Sequence, residues 1–163
     1  MVGFDASLFR LVGSLVALAM LFALLLAIAI VDWRTRRIPN ALVFALVVSR
    51  VVVLGVDVAF GQTEAVLAAF TGSVATAFSF VAGLLLLKGL MERVLHKECV
   101  GLGDVKLLGA GCLYLDLEQA MAALAIASVV GIVTALYFRV AREDPTFPFG
   151  PALCCGLFTA LFL

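Results

Sequence analysis

The chain has 163 residues, of which 65% are hydrophobic and only 13% charged, with a mean hydropathy of +1.24. A soluble domain is about a quarter charged, so this chain lacks the polar surface to fold in water, and the bilayer is its expected solvent. Its 11 basic and 11 acidic residues cancel and sit in short clusters between apolar runs, which excludes the extended basic face that nucleic acid requires.

The first apolar run, residues 11–31, is uncharged and meets the requirement of about 20 residues for a helix that crosses hydrocarbon. It ends in Ala27-Ile28-Ala29, a pattern similar to a signal-peptidase site. The run is longer than a signal-peptide core, and basic residues follow it rather than precede it, so a retained span is expected. The stretch "VDWRTRRIPN", residues 31–40, comes next. Asp32 closes the first span, Arg34, Arg36 and Arg37 follow, and Pro39 and Asn40 open the second helix, where proline is tolerated. On charge alone this is a loop held on the cytoplasmic side by its arginines.

The second run, 41–60, carries Arg50 and Asp57. These lie two helical turns, about 10 Å, apart, so an ion pair between them would need long side-chain reach. The third run, 65–87, has no charge, and a polar stretch with Lys88, Glu92, Arg93, His96, Lys97 and Glu98 follows. "GLGDVK", residues 101–106, then opens the next helix. Gly101 and Gly103 permit unusual backbone angles and close approach, and Asp104 stands near the helix N-cap, where a carboxylate accepts backbone N–H groups. For Lys106 three roles stay open: holding a loop, pairing with a carboxylate, or binding lipid phosphate.

Apolar character continues from Leu107, is interrupted by Asp116 and Glu118, runs over 119–138, stops at Arg139–Asp144 and resumes at Phe147. The last run begins with "FPFGP", residues 147–151, in which Pro148, Gly150 and Pro151 stiffen the start of a helix. The region 107–138 is too long for one span and short for two, so length permits five helices or six. Charge decides: with six, Arg139 and Arg142 join the other basic residues on the cytoplasmic side, whereas five would place them outside. The expected fold is therefore an all-α membrane protein, a polytopic bundle of about six transmembrane helices in a single domain, 1–163. Its fourth and sixth helices are short and its N-terminus is outside.

This topology has a chemical consequence. Asp32 ends the first helix as the chain enters the cytoplasm, and Asp104 begins the fourth as the chain leaves it, so the two carboxylates lie at one depth on different helices. The cysteines, Cys99, Cys112, Cys154 and Cys155, form no C-x-x-C pair and read as small apolar residues. With His96 as the only histidine, neither a metal site nor a cofactor is expected.

The ordered set "DWRTRRIPN", "GLGDVK" and "PFGP" resembles the type IV prepilin peptidases, membrane aspartyl proteases with a G-x-G-D motif. The likeness is greatest to the short forms associated with Tad/Flp-type pilus systems. The resemblance implies an enzyme of a prokaryotic cytoplasmic (inner) membrane that removes the short basic leader of prepilin or pseudopilin precursors at the cytoplasmic face. The cut would follow a glycine just before the pilin's hydrophobic helix. It implies Asp32 and Asp104 as the catalytic pair, with Pro39, Asn40, Gly101, Gly103, Lys106, Pro148, Gly150 and Pro151 as substrate-binding or structural support. Glu92, Glu98, Glu143 and Asp144 share the expected cytoplasmic side, where acidic groups attract a basic leader, although solvated loop charges are the commoner outcome. Longer relatives carry a cytoplasmic insert between the first two helices and methylate the new terminus; with only Asp32–Asn40 there, methylation and zinc binding are not expected here.

Helix ends assign the pair's roles: a helix N-terminus favours the anion of Asp104, and a C-terminus favours neutral Asp32, though the nearby arginines oppose the latter. A non-catalytic scaffold of a pilus system is the alternative, against which the presence of both aspartates argues. A proton-coupled transporter would need acids deeper in the bilayer. A presenilin-like protease would pair G-x-G-D with a Y-D motif, whereas Asp32 follows Val31.

Overall fold

The computed structural model describes residues 6–59, 63–95, 101–141 and 147–163. Among the described residues there are six helices: α1 (Ala6–Thr35), α2 (Asn40–Ala59), α3 (Thr63–Leu95), α4 (Leu102–Cys112), α5 (Leu117–Ala141) and α6 (Gly150–Ala160). Four of them contain segments long and apolar enough to cross a membrane, Leu11–Thr35, Asn40–Ala59, Val66–Val94 and Leu117–Val140. The protein is a multi-pass, all-helical membrane protein, as its composition required.

The short fourth and sixth helices are present, but they do a different job from the long ones. Each has 11 residues, about 16 Å of rise against a hydrocarbon core of about 30 Å. Neither crosses on its own. They fill the middle of the bundle instead: Val105, Leu107, Leu108 and Cys112 of α4 and Ala152, Leu153, Cys154 and Leu157 of α6 are buried. Leu21, Leu25 and Ile28 of α1, Leu46 of α2 and Ala120, Ala123 and Ala127 of α5 complete the core. The long helices turn the rest of their apolar side chains outward, among them Leu15, Phe44, Phe78, Leu86 and Val133. In a bilayer these face lipid, which is as good a solvent for them as another helix.

Small residues let the short helices in. A Cβ at Gly109 would lie 2.5 Å from a Val81 methyl of α3, and one at Gly111 would lie 2.5 Å from Leu157 of α6. A Cβ at Gly156 would meet the Ala123 carbonyl of α5 and approach the Ala127 methyl to 3.0 Å. With no hydrophobic drive between helices in lipid, such close backbone approach is a main source of cohesion.

A helix leaves its last carbonyls without partners, and here α2 supplies one. Arg50 donates Nε–H to the Leu113 carbonyl at 2.9 Å, and its guanidinium lies 5.3 Å from the Tyr114 ring centre. Tyr114 in turn donates its hydroxyl to the Leu46 carbonyl at 2.9 Å and contacts Ser49. Arg50 thus serves as a cap for α4 and not as a partner for Asp57. The chain then restarts with a reciprocal capping box: Gln119 N–H donates to Asp116 Oδ1 at 2.8 Å, and Asp116 N–H to Gln119 Oε1 at 3.3 Å. Within the helices Ser79, Ser128, Thr134 and Thr159 return their hydroxyls to carbonyls one turn back, so these donors do not meet lipid unpaired.

The first helix ends in a left-handed turn. Arg36 has φ 53° and is the positive-φ non-glycine residue of the chain among those described; its N–H reaches the Asp32 carbonyl at 2.8 Å. That bond from the residue after the helix to the carbonyl four back is the αL cap, a position usually given to glycine.

Gly156→Val is expected to lower the melting temperature in detergent and to cost about 1–3 kcal/mol by overpacking the contact between α5 and α6. Gly55→Ala, where an added Cβ meets nothing within 4 Å, is expected to be neutral or slightly stabilising.

Candidate active site

Four chain segments meet at one end of the bundle: the end of α1, the start of α2, the start of α4 and the start of α6. They enclose a cleft of about 370 Å³ lined by Asp32, Arg36, Arg37, Ile38, Asn40, Gly101, Gly103, Asp104, Lys106, Phe147 and Phe149. The two aspartates expected at one depth therefore open on a common space. Sequence topology permits that meeting; packing of α4 and α6 against α1 and α2 brings it about.

Asp32 is buried, with 5% of its surface exposed. Its Oδ2 accepts the Gly150 N–H of α6 at 2.9 Å, a donor that the first turn of a helix would otherwise leave unmatched. The surrounding stretch is built for this contact. A Cβ at Gly150 would sit 2.6 Å from Asp32 Oδ2, so only glycine fits there. Pro151 stands in the first turn of α6 and has no N–H to satisfy, and Pro148 is buried just before it.

Asp104 occupies the third position of α4, after Gly101 as N-cap. Its carboxyl accepts the Gly101 backbone N–H, the backward half of a capping box made by an acid on its own helix. A Cβ at Gly101 would lie 2.9 Å from Asp104 Oδ2, and one at Gly103 would lie 3.2 Å from Ile38 Cβ. Gly101 thus leaves room for the Asp104 carboxyl and Gly103 for Ile38 in the loop after α1, while both line the cleft. Asp104 lies outside the four long spans, and burial, with a smaller contribution from the nearby Asp32 charge, pushes its pKa up to about 6 against the lowering effect of the Gly101 N–H.

The supporting residues divide by role. The Pro39 carbonyl starts α2 by accepting the N–H groups of Leu42 at 3.1 Å and Val43 at 3.3 Å. Asn40 Oδ1 accepts from Lys106 Nζ at 3.2 Å, which ties α2 to α4 across the cleft mouth. The contact joins the starts of the two helices. Arg36, Arg37, Ile38, Phe147 and Phe149 also line the cleft, although sequence reasoning does not place them in the site. The arginines read there only as topology signals, and the phenylalanines are hidden inside a stretch singled out for its prolines. Phe149 is seated against Gly131 of α5, where no Cβ fits.

Of the four acids expected to draw a basic segment, Glu92 pairs with Lys88 at 2.8 Å one turn away. Glu98, Glu143 and Asp144 lie outside the described residues, as do His96 and Cys99. Cys112 and Cys154 are buried and Cys155 is exposed.

Two carboxyl groups open on one cleft, and the nearby Asp32 charge adds to the cost of ionising Asp104. Such a pair is suited to general acid–base chemistry on a bound water.

The chain matches the family model described as the type IV leader peptidase family over residues 19–136, which includes both aspartates and stops before the "FPFGP" stretch. It is similar to the prepilin leader peptidase/N-methyltransferases of Burkholderia pseudomallei strains 1026b and K96243. Each is 32% identical over 160 residues, covering 96% of this chain and 49% of the relative. The chain therefore spans about half the length of the curated relatives it matches. No solved structure matches it.

The raised pKa of Asp104 has a stability consequence. Its folded-state value of about 6 exceeds the ordinary 3.8, so the folded chain holds the extra proton between those limits. Stability then declines as pH rises through that window, and the cost of ionised Asp104 is fully present above it. Asp104→Asn should be more stable than the parent at pH 7 by about 1–3 kcal/mol. The difference should vanish near the lower limit, 3.8; melting curves across this range in detergent check it.

Proposed function

Because the chain belongs to the type IV leader peptidase family, we propose that it is a membrane-embedded aspartic endopeptidase acting on prepilin or pseudopilin precursors, of the small Flp type. The observation that carries this reading is the shared cleft of Asp32 and Asp104. We read residues 1–163 as one peptidase domain of a prokaryotic inner membrane, with the cleft at the cytoplasmic face. Arg34, Arg36, Arg37, Lys106 and Arg139 gather toward the cleft end of the bundle, and the bias of basic residues to the cytoplasm supports this orientation. Residues 36–39 alone link α1 to α2, so no insert separates the helices that carry the first motif.

In the proposed reaction a water between the carboxyl groups attacks the scissile carbonyl carbon. Asp104, which keeps its proton up to about pH 6, donates a hydrogen bond to the carbonyl oxygen and stabilises the charge that develops there. Asp32 is the carboxylate that takes the proton from water. The tetrahedral intermediate collapses when a proton passes to the leaving amine, and no covalent enzyme intermediate forms. This division reverses the one that helix ends alone favour, because burial outweighs the helix terminus at Asp104. Ile38, Phe147 and Phe149 offer an apolar wall on which the start of a precursor's hydrophobic segment rests.

Asp32→Asn and Asp104→Asn are each expected to reduce leader removal by at least about 10²-fold. The check is co-expression with a small pilin precursor and a gel-mobility assay of the leader. Asn at 32 keeps an oxygen for the Gly150 N–H, so its melting temperature should stay near the parent's while processing is lost. Normal processing by either variant would remove the aspartyl pair from the mechanism.

A further inference from the structure

The two aspartates are held by different parts of the bundle. Asp32 stands on α1 and is bonded to α6 through the Gly150 N–H. Asp104 rides on α4, which is bonded to α2 near both of its ends. Lys106 Nζ donates to Asn40 Oδ1 near the start, and Arg50 Nε donates to the Leu113 carbonyl just past the end. The first tie is exposed and the second half-buried, so the second is the firmer guide.

The bonds around Arg50 form a closed set. Its guanidinium lies 5.3 Å from the Tyr114 ring centre. Tyr114 gives its hydroxyl proton to the Leu46 carbonyl at 2.9 Å, so Ser49 is the donor in the Ser49–Tyr114 bond. One turn of α2 thus grips the two residues that follow α4. Toward α3 and α6, by contrast, α4 presents Gly109 to Val81 and Gly111 to Leu157. Glycine contacts set how close helices come, and they resist sliding less than interlocked side chains do. Hydrogen bonds are directional and tolerate little displacement.

We propose that Arg50 and Tyr114 are positioning residues, which set the height of α4 along α2 and thereby the place of Asp104 across from Asp32. Leu113 lies about 14 Å beyond Asp104 on the same rod, so a shift at one end of α4 arrives at the other. A misplacement of about 1 Å at the reacting groups costs on the order of 10²-fold in rate. Neither Arg50 nor Tyr114 lines the cleft, and both act through Asp104. The inference rests on the leader-peptidase reading.

The test measures kcat and KM for a small pilin precursor, with the full-length protein in neutral-lipid vesicles. Arg50→Gln places its amide nitrogen where Arg has Nε, whereas Arg50→Met has the same length and no donor; both lack the charge. Arg50→Gln should keep kcat within about twofold of the parent, and Arg50→Met should lower it about tenfold at pH 7 with KM unchanged. At pH 5 the Arg50→Met loss should shrink to about twofold. A displaced Asp104 admits water, so its raised pKa of about 6 falls and the proton it donates is lost at the higher pH. The other charged groups of the cleft, Asp32, Arg36, Arg37 and Lys106, are common to all variants. Tyr114→Phe removes the hydroxyl, keeps the ring beside Arg50, and should show the same loss with the same pH dependence.

A loss of equal size at both pH values would overturn the inference, because it counts only fewer folded molecules. So would equal rates for Arg50→Gln and Arg50→Met, or a Tyr114→Phe variant that behaves as the parent does. Each of these outcomes leaves the peptidase reading intact, since the parent still cleaves. Failure of the parent to cleave the precursor would overturn both readings together.

Discussion

A short helix buried in a bundle must find partners for its open ends, since an unpaired backbone group away from water costs free energy. The two 11-residue helices place this constraint at the centre of the molecule. Their starts are met by the two aspartates: Asp104 takes the Gly101 N–H on its own helix, and Asp32 reaches from α1 to the Gly150 N–H of α6. The far end of α4 is met by Arg50 through the Leu113 carbonyl. The same carboxyl groups that open on the cleft are thus the groups that let the short helices begin there.

This dual use explains the glycines and prolines around the site. Gly101 and Gly150 leave room for the carboxyl groups that cap their helices, and Gly103 leaves room for Ile38. Pro151 begins α6 without a donor to place. The arrangement keeps polar atoms paired: among the described residues no buried side-chain nitrogen or oxygen lacks a hydrogen-bond partner. The strain falls on Asp104, whose burial opposes its charge. Stability given up at Asp104 and at the left-handed Arg36 is recovered in the close packing of α4 and α6 among glycines and alanines.

Much of this architecture is legible in the pattern of residues alone. Apolar runs and the bias of basic residues imply six helices, short fourth and sixth elements, and a common depth for Asp32 and Asp104. Other features depend on contacts that spacing does not reveal. Arg50 and Asp57 share a helix about two turns apart, and Arg50 turns to a carbonyl 63 residues away in sequence. Lys106 has no evident partner along its own segment, and Asn40 reaches it from 66 residues away. Phe147 and Phe149 join the cleft only because their segment folds back over α1 and α5.

The sequence by itself determined the solvent, the number of helices and the end of the bundle at which the motif residues emerge. Hydrophobic run length and charge asymmetry are properties of one segment against the bilayer, and they need no partner. Tertiary structure alone decided that α4 and α6 fill the core rather than face lipid. It also decided that Gly101 and Gly150 make room for the two aspartates, and that burial raises the pKa of Asp104. Each of these follows from which surfaces meet and how much water they exclude, and no pattern along a single segment records that.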